Sequence, residues 1–269
     1  MKIVYHGADL DGKCSAAIVL KALGKKDVEL IPYNYGEFPF EKIEPGEKVV
    51  VVDCSLDFEV LLEITKDIIW IDHHVTAIDK YDGLELKGLR RVGTAACELT
   101  WEYFMDDSEM PEVVKYLGDY DVWKFALGEP TKILQTGLRL YDTEPTSDNW
   151  DQWLDEDYSL FDEINDGKIA LKYRDNYWKD IAKNSFFTTF EGYKCVACNA
   201  SNVSSQLFDS VEGDYDIMIP FSFNGDEWKL SLYTTKDNIH IGNIATKYGG
   251  GGHKGAAGFS CKELPFRKE

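Results

Sequence analysis

Residues 70–76 read WIDHHVT, and two of the chain's five histidines stand side by side in this stretch. On a strand adjacent side chains point to opposite faces, and on a helix they lie about a quarter turn apart. Either geometry is poor for two ligands of one ion, so the pair calls for a division of labour. Two other stretches set polar residues behind strand-like sequence. HGADLDG (6–12) carries His6, Asp9 and Asp11, and VVVVDCS (49–55) ends its apolar run at Asp53. Carboxylates gathered in one place raise one another's pKa, and divalent cations are the natural compensation. Carboxylate with imidazole suits Mn²⁺, and less specifically Mg²⁺, Zn²⁺ or Co²⁺. The candidates outnumber the ligands one ion needs, so two ions are expected, and a metal pair suits in-line attack on phosphorus. Each residue alone also fits a plainer role. An Asp after a strand commonly caps a turn or helix, and His73 and His74 would serve equally as core or supporting histidines.

What favours chemistry is the set of elements that would bring these residues together. KIVYH, VELIPY, KVVVVDCS and DIIWIDHH are short, β-branched-rich and strand-like. GKCSAAIVLKALG, DFEVLLEIT and TAACELTWEYFM have helical spacing, the first stopping at Gly24. Strand and helix in alternation predict an α/β, mostly parallel, doubly wound sheet covered on both faces. Such sheets bind ligands beyond the C-terminal ends of their strands. His6, Asp9 and Asp11 in the loop after the first strand, Asp53 after a later one, and Asp72, His73 and His74 after the next then share one edge. From about 127 to 185 the chain is aromatic-rich and helical, including DNWDQWLDED, and predicts a helical connector. FFTTFEGYKCVACNAS, DYDIMIPFSFN and EWKLSLYTT predict strands, with VSSQLFDSV and IGNIATKYG as helices. The expected layout is 1–126, a connector over 127–185, and a smaller α/β mixed-sheet domain over 186–269.

These residues resemble the successive motifs of the DHH phosphoesterase superfamily: ADLDG, the strand-final Asp53, DHH and GDYDVW (118–123). KYGGGGHKGAAGF (247–259) is similar to the GGGH signature of the domain that accompanies DHH in its nuclease and phosphatase branch. The resemblance spans nearly the whole chain. It implies that His6 and Asp9 bind one metal and Asp11 the other, with Asp53 bridging and His73 a ligand. His74 then faces the substrate phosphate or supports the site, and Asp72 orients an imidazole. One carboxylate of GDYDVW completes the set, Asp121 being favoured and Asp119 the alternative. Gly250, Gly251, Gly252 and His253 become a substrate cradle in which backbone amides and the imidazole meet a phosphate. Relatives that grip substrate with Arg-Ser before this helix differ here, where Tyr233 and Thr234 take those places. Tyr233 would pack or stack on a base.

Composition narrows the substrate. With 29 Lys plus Arg against 48 Asp plus Glu, the net charge is −19. A long nucleic acid needs a basic track for its phosphates, so a short oligonucleotide or nucleotide is expected instead. The acidic runs DDSEMPE and DEDYSLFDEINDG read as solvated faces. CVAC is a lone pair among six scattered cysteines, so reduced structural thiols are expected. No run of 18 apolar residues predicts a membrane span, and the N-terminus has no signal-peptide profile, so the expected location is cytoplasmic. A homodimer is left open. The resemblance therefore implies a two-metal phosphohydrolase, similar to nano-RNases, that releases nucleoside monophosphates and uses two Mn²⁺, with Mg²⁺ or Co²⁺ as substitutes. Hydrolysis of 3′-phosphoadenosine-5′-phosphate or of linear dinucleotides is the alternative in the same class. A catalytically silent scaffold of the same fold is the alternative from a different class.

Overall fold

Four short runs rich in β-branched residues become the strands β1 (Lys2–His6), β2 (Glu29–Tyr33), β3 (Val49–Val52) and β4 (Ile68–Ile71) of a parallel sheet. The strand order is β2-β1-β3-β4. In register, Ile3 pairs with Leu30 and Val50, and Val51 with Trp70. Alternation along each strand sends successive side chains to opposite faces. Val4, Val49, Val51 and Trp70 form one buried layer, and Ile3, Tyr5, Val50, Val52 and Ile71 form the other. This computed structural model describes residues 1–34, 36–106 and 108–268; Asp107 of the acidic run DDSEMPE lies outside them.

Helices cover both layers: α1 (Leu10–Leu23) and α4 (Ala96–Met105) on one, α2 (Phe58–Ile64) and α3 (Val75–Lys80) on the other. α5 (Glu112–Asp121), α6 (Glu129–Gly137), α7 (Asn149–Trp153) and α8 (Phe161–Ala182) follow. The chain divides into two compact units, Met1–Leu171 and Lys172–Glu269. The helical stretch expected over 127–185 contributes to the first unit's core. Leu134, Leu138, Trp150, Trp153, Leu154 and Leu160 share one buried core with Leu10, Cys14, Ile18 and Val113 of the first unit. Those apolar faces need cover, and α1 and α5 supply it. DNWDQWLDED is helical only over Asn149–Trp153.

The second unit is a mixed six-stranded sheet of β5 (Phe186–Phe190), β6 (Tyr193–Asn199), β7 (Ile217–Phe223), β8 (Trp228–Tyr233), β9 (Gly251–Gly252) and β10 (Ala256–Cys261), in the order β5-β6-β7-β8-β10-β9. Only β6 and β7 run parallel. Glu191 and Gly192, both at positive φ, turn β5 into β6. α9 (Ile241–Lys247) packs against this sheet with Ile241, Ile244 and Ala245. The expected helix over VSSQLFDSV is a 3₁₀ run, Ser205–Ser210. Cys195 and Cys198 of CVAC are buried in separate clusters on opposite faces of β6, so one ion cannot join them. Among the described residues no helix is long and apolar enough to cross a membrane.

Candidate metal centre

The order β2-β1-β3-β4 reverses direction between β1 and β3, and that crevice is where an open parallel sheet binds ligands. β1 ends at His6, whose Nδ1 lies 3.2 Å from the Tyr33 carbonyl. His6 Nε2 lies 3.5 Å from Asp9 Oδ2. Asp9 is also the N-cap of α1, its Oδ1 accepting the Gly12 amide at 3.0 Å. Asp11, expected in the loop, lies instead in the first turn of α1 and is 3% exposed. Its oxygens accept the amides of Ala96 and Cys97 at 2.9 and 2.7 Å, so the first turn of α4 anchors it. Gly12 is needed for this close entry, because a Cβ there would sit 2.1 Å from the His6 carbonyl oxygen.

Asp53 leaves β3 with φ +56 and is 1% exposed. It does not cap α2, whose N-cap is Asp57. After β4, His73 Nε2 lies 3.3 Å from Asp53 Oδ1, 3.4 Å from Asp121 Oδ2 and 3.7 Å from Asp11 Oδ2. His74 stands at the edge of this group, its Nδ1 3.9 Å from Asp53 Oδ1. The same Nδ1 lies 2.7 Å from Asp72 Oδ1, which also accepts the amides of His73 and His74 at 2.7 and 3.1 Å. Asp72 Oδ2 accepts the Trp70 indole N–H at 3.2 Å. Asp72 is thus enclosed by donors and faces His74 rather than the carboxylates. The two rings meet edge-on at 4.6 Å.

The two carboxylates of GDYDVW separate because they sit on α5 two residues apart, about 200° around a helix. Asp121 joins His73 and Asp11. Asp119 points away into the following loop. It accepts the amides of Ala126 at 2.7 Å and Leu127 at 3.1 Å, and the Thr131 hydroxyl at 2.5 Å. Burial pulls its pKa up, but these hydrogen bonds outweigh that and hold it below the usual carboxylate range. Neither this loop clamp nor the α4 amides under Asp11 leave a local signal in the sequence. Buried Val113, Val114 and Leu117 at helical spacing were the signal that could have parted Asp119 from Asp121.

Electrostatically the cluster is unbalanced. Burial, then the charges of Asp11 and Asp9, push Asp53 and Asp121 well above the usual carboxylate range. Burial also raises Asp9, partly offset by His6. Burial lowers His73. For His74 burial works downward, but the bond to Asp72 outweighs it and the net shift is upward. Asp53 Oδ1 is buried and accepts no hydrogen bond among the described residues. Oxygen and imidazole donors crowded together, mutually repelling and with an unbonded buried oxygen, fit divalent cations. Two triads have ligand atoms within 4.8 Å of one another: Asp53, His73 and His74, and Asp11, His73 and Asp121.

In the second unit, Gly250–His253 follow α9 and enter the β9–β10 hairpin. Two of the amides are already committed: Gly250 N–H donates to Ala245 at 3.0 Å and His253 N–H to Ala256 at 2.7 Å. A Cβ on Gly250 would lie 2.1 Å from the Gly258 carbonyl oxygen, so its smallness serves packing against β10. Gly251 has open space, and Gly251, Gly252 and His253 are exposed. Tyr233 is half-buried beside Met218 and packs.

No family model matches the chain. The uncharacterized protein R106 of Acanthamoeba polyphaga mimivirus is 26% identical over 301 residues, covering 99% of this chain and 69% of that protein. An exopolyphosphatase-related protein from Bacteroides fragilis superposes with a TM-score of 0.57 at 13% identity, over 98% of this chain and 87% of its own. The pGpG-specific phosphodiesterase PggH from Vibrio cholerae gives 0.54 at 15%, over 97% and 93%. What these two structures share with this chain is the α/β two-unit fold.

Proposed function

We propose that this chain is a DHH-type two-metal phosphohydrolase that cleaves short oligonucleotides or small phosphate-bearing nucleotides to nucleoside monophosphates. The carrying observation is the convergence of Asp9, Asp11, Asp53 and Asp121 on His6 and His73 at the sheet crevice, where burial and mutual repulsion leave negative charge uncompensated. His6 and Asp9 would hold one cation, and Asp11, His73 and Asp121 the other, with Asp53 shared. Mn²⁺ suits this donor set best, and Mg²⁺ or Co²⁺ would substitute. When bound, the cations supply charge neutralisation for a phosphate and a water of lowered pKa. The rest is the protein's own work. Asp72 fixes the His74 ring with its proton on Nδ1 and favours the imidazolium, so Nε2–H is set to donate to a phosphoryl or leaving oxygen. Trp70 and two backbone amides hold Asp72 in turn. Gly251, Gly252 and the His253 imidazole are the proposed phosphate contacts of the second unit.

The net charge of −19 supports a short substrate. The fold shared with a pGpG-specific phosphodiesterase favours linear dinucleotides within that class. The test compares rates of the Mn²⁺-loaded protein on a 5′-labelled dinucleotide, a long RNA strand and 3′-phosphoadenosine-5′-phosphate. Fastest turnover of the dinucleotide is expected. Preference for the long strand would overturn the substrate class, and no metal-dependent turnover on any of the three would favour a silent scaffold.

A further inference from the structure

Directly after Asp121 the chain makes a turn that puts two bulky aromatic residues in a conformation glycine favours. Trp123 and Phe125 both lie in the left-handed backbone region, at φ +55 and +50. Bulky side chains seldom adopt this conformation, and glycine would do so without strain. Trp123 nevertheless leaves 48% of its surface exposed. The loop is held in this shape from below. The Asp119 carboxylate grips the amides of Ala126 and Leu127, while its carbonyl accepts those of Lys124 at 3.0 Å and Phe125 at 3.4 Å. Trp123 N–H donates to the Tyr120 carbonyl at 3.0 Å. Three rings brace one another: Trp123 meets Phe125 at 4.7 Å and Tyr120 at 5.3 Å, and Tyr120 meets Phe125 at 5.8 Å, all edge-on. Lys132 Nζ stands 5.2 Å over the Phe125 ring, and Lys124 is exposed beside it.

A strained, braced and half-exposed indole is a poor investment for stability and a good one for binding a flat ligand. Its location identifies the ligand. Two Cα steps of 3.8 Å separate Trp123 from Asp121, so their Cα atoms lie within about 7.6 Å. Asp121 itself reaches the carboxylate–imidazole cluster. A base lies one ribose away from its phosphate. We infer that Trp123 is the stacking platform for the base of a nucleotide whose phosphate occupies the metal centre, with Tyr120 and Phe125 as its buttress and Asp119 as the positioning residue of the loop. This inference rests on the phosphohydrolase reading above. It adds a reason for that site to prefer nucleotides over other phosphate esters, since every base offers a π-face.

The test titrates the Mn²⁺-loaded full chain with adenosine 5′-monophosphate and with ribose 5-phosphate, which lacks the base, by calorimetry. Wild type, Trp123→Gly and Trp123→Tyr are compared, each checked for an intact melting transition. Gly fits the left-handed position, so its loss of affinity is not a loss of fold. Wild type should bind the nucleotide on the order of tenfold or more tighter than the sugar phosphate. Trp123→Gly should erase that difference without weakening ribose 5-phosphate, and Trp123→Tyr should keep most of it. Persistence of the difference in the Gly variant would overturn the inference, as would equal weakening of both ligands. Wild type binding both ligands equally would overturn the inference and leave the phosphohydrolase standing. Binding of neither would overturn that reading, and the inference with it.

Discussion

Replacing Asp53 by Asn should move the metal-free and metal-loaded proteins in opposite directions. Asn is nearly isosteric and among the residues that best tolerate a left-handed backbone, so the φ of +56 survives the change. No hydrogen bond to Oδ1 is lost, because none is present among the described residues. What disappears is a buried carboxyl crowded by Asp11, Asp9 and Asp121. Asn is still a buried polar group, so the gain is the relieved like-charge crowding alone, on the order of 1–3 kcal/mol. For a unit of this size 1 kcal/mol corresponds to about 2–4 °C. Chelator-treated Asp53→Asn should therefore melt about 4–8 °C above chelated wild type for a gain of about 2 kcal/mol. With Mn²⁺ at a hundred times its Kd, wild type should gain about 2.7 kcal/mol, or roughly 5–10 °C. The variant, short of a shared ligand, should gain little. Scanning calorimetry with chelator and then Mn²⁺ reads both effects in the first unit's transition. A lower melting temperature without metal, together with an undiminished Mn²⁺ shift, would make Asp53 a structural residue and refute the reasoning.

The two histidines should separate. His73→Asn is expected to weaken Mn²⁺ binding at least tenfold, because it removes the nitrogen lying among three carboxylates, whereas His74→Asn should lower kcat with a smaller effect on metal affinity; Mn²⁺ titration and steady-state rates distinguish them. Asp119→Ala strips three hydrogen bonds from the 122–131 loop and should cost about 2–4 kcal/mol in denaturant unfolding. Gly250→Ala should destabilise the second unit by about 1–3 kcal/mol through collision with the Gly258 carbonyl, whereas Gly251→Ala should melt like wild type, so a fall in its turnover would report a substrate contact. The metal-free protein should also lose stability as pH rises. Asp9, Asp53 and Asp121 have raised pKa values, so the folded state holds their protons more tightly; their contribution is full below the ordinary range near about 4 and fades through the raised values. Asp72 and Asp119, both lowered, act only below that range. Chelated protein should melt higher at about pH 5.5 than at about pH 8, the raised His74 adding to this trend and the lowered His73 opposing it, and saturating Mn²⁺, which binds the deprotonated ligands, should remove or reverse the difference.

Much of the first unit was legible because its signals are local. Strand runs such as Val49–Val52 are buried on both faces and therefore uniformly apolar. Their ends mark where polar residues emerge, which is why His6, Asp53 and His73 could be assigned to one edge. Less legible were elements whose character depends on distant partners. The helices over 127–160 read as a connector because nothing local says that Trp150 and Leu134 will share a core with Leu10. The packing role of Gly250 was not legible because sequence does not reveal that it lies against Gly258.

Sequence alone determined the chemical inventory: carboxylates and imidazoles at three strand ends, a doubled histidine beside them, and a net charge of −19. Tertiary structure decided which atom does what. It turned His73 Nε2 into the carboxylates and gave His74 to Asp72, and it enlisted α4 amides for Asp11 from 85 residues away. It also split Asp119 from Asp121 and raised Trp123 on a strained loop beside the centre. The physical reason is range. Periodicity and strand ends are set by neighbours along the chain, whereas ligand geometry, burial and pKa are set by groups that only folding brings within a few ångströms.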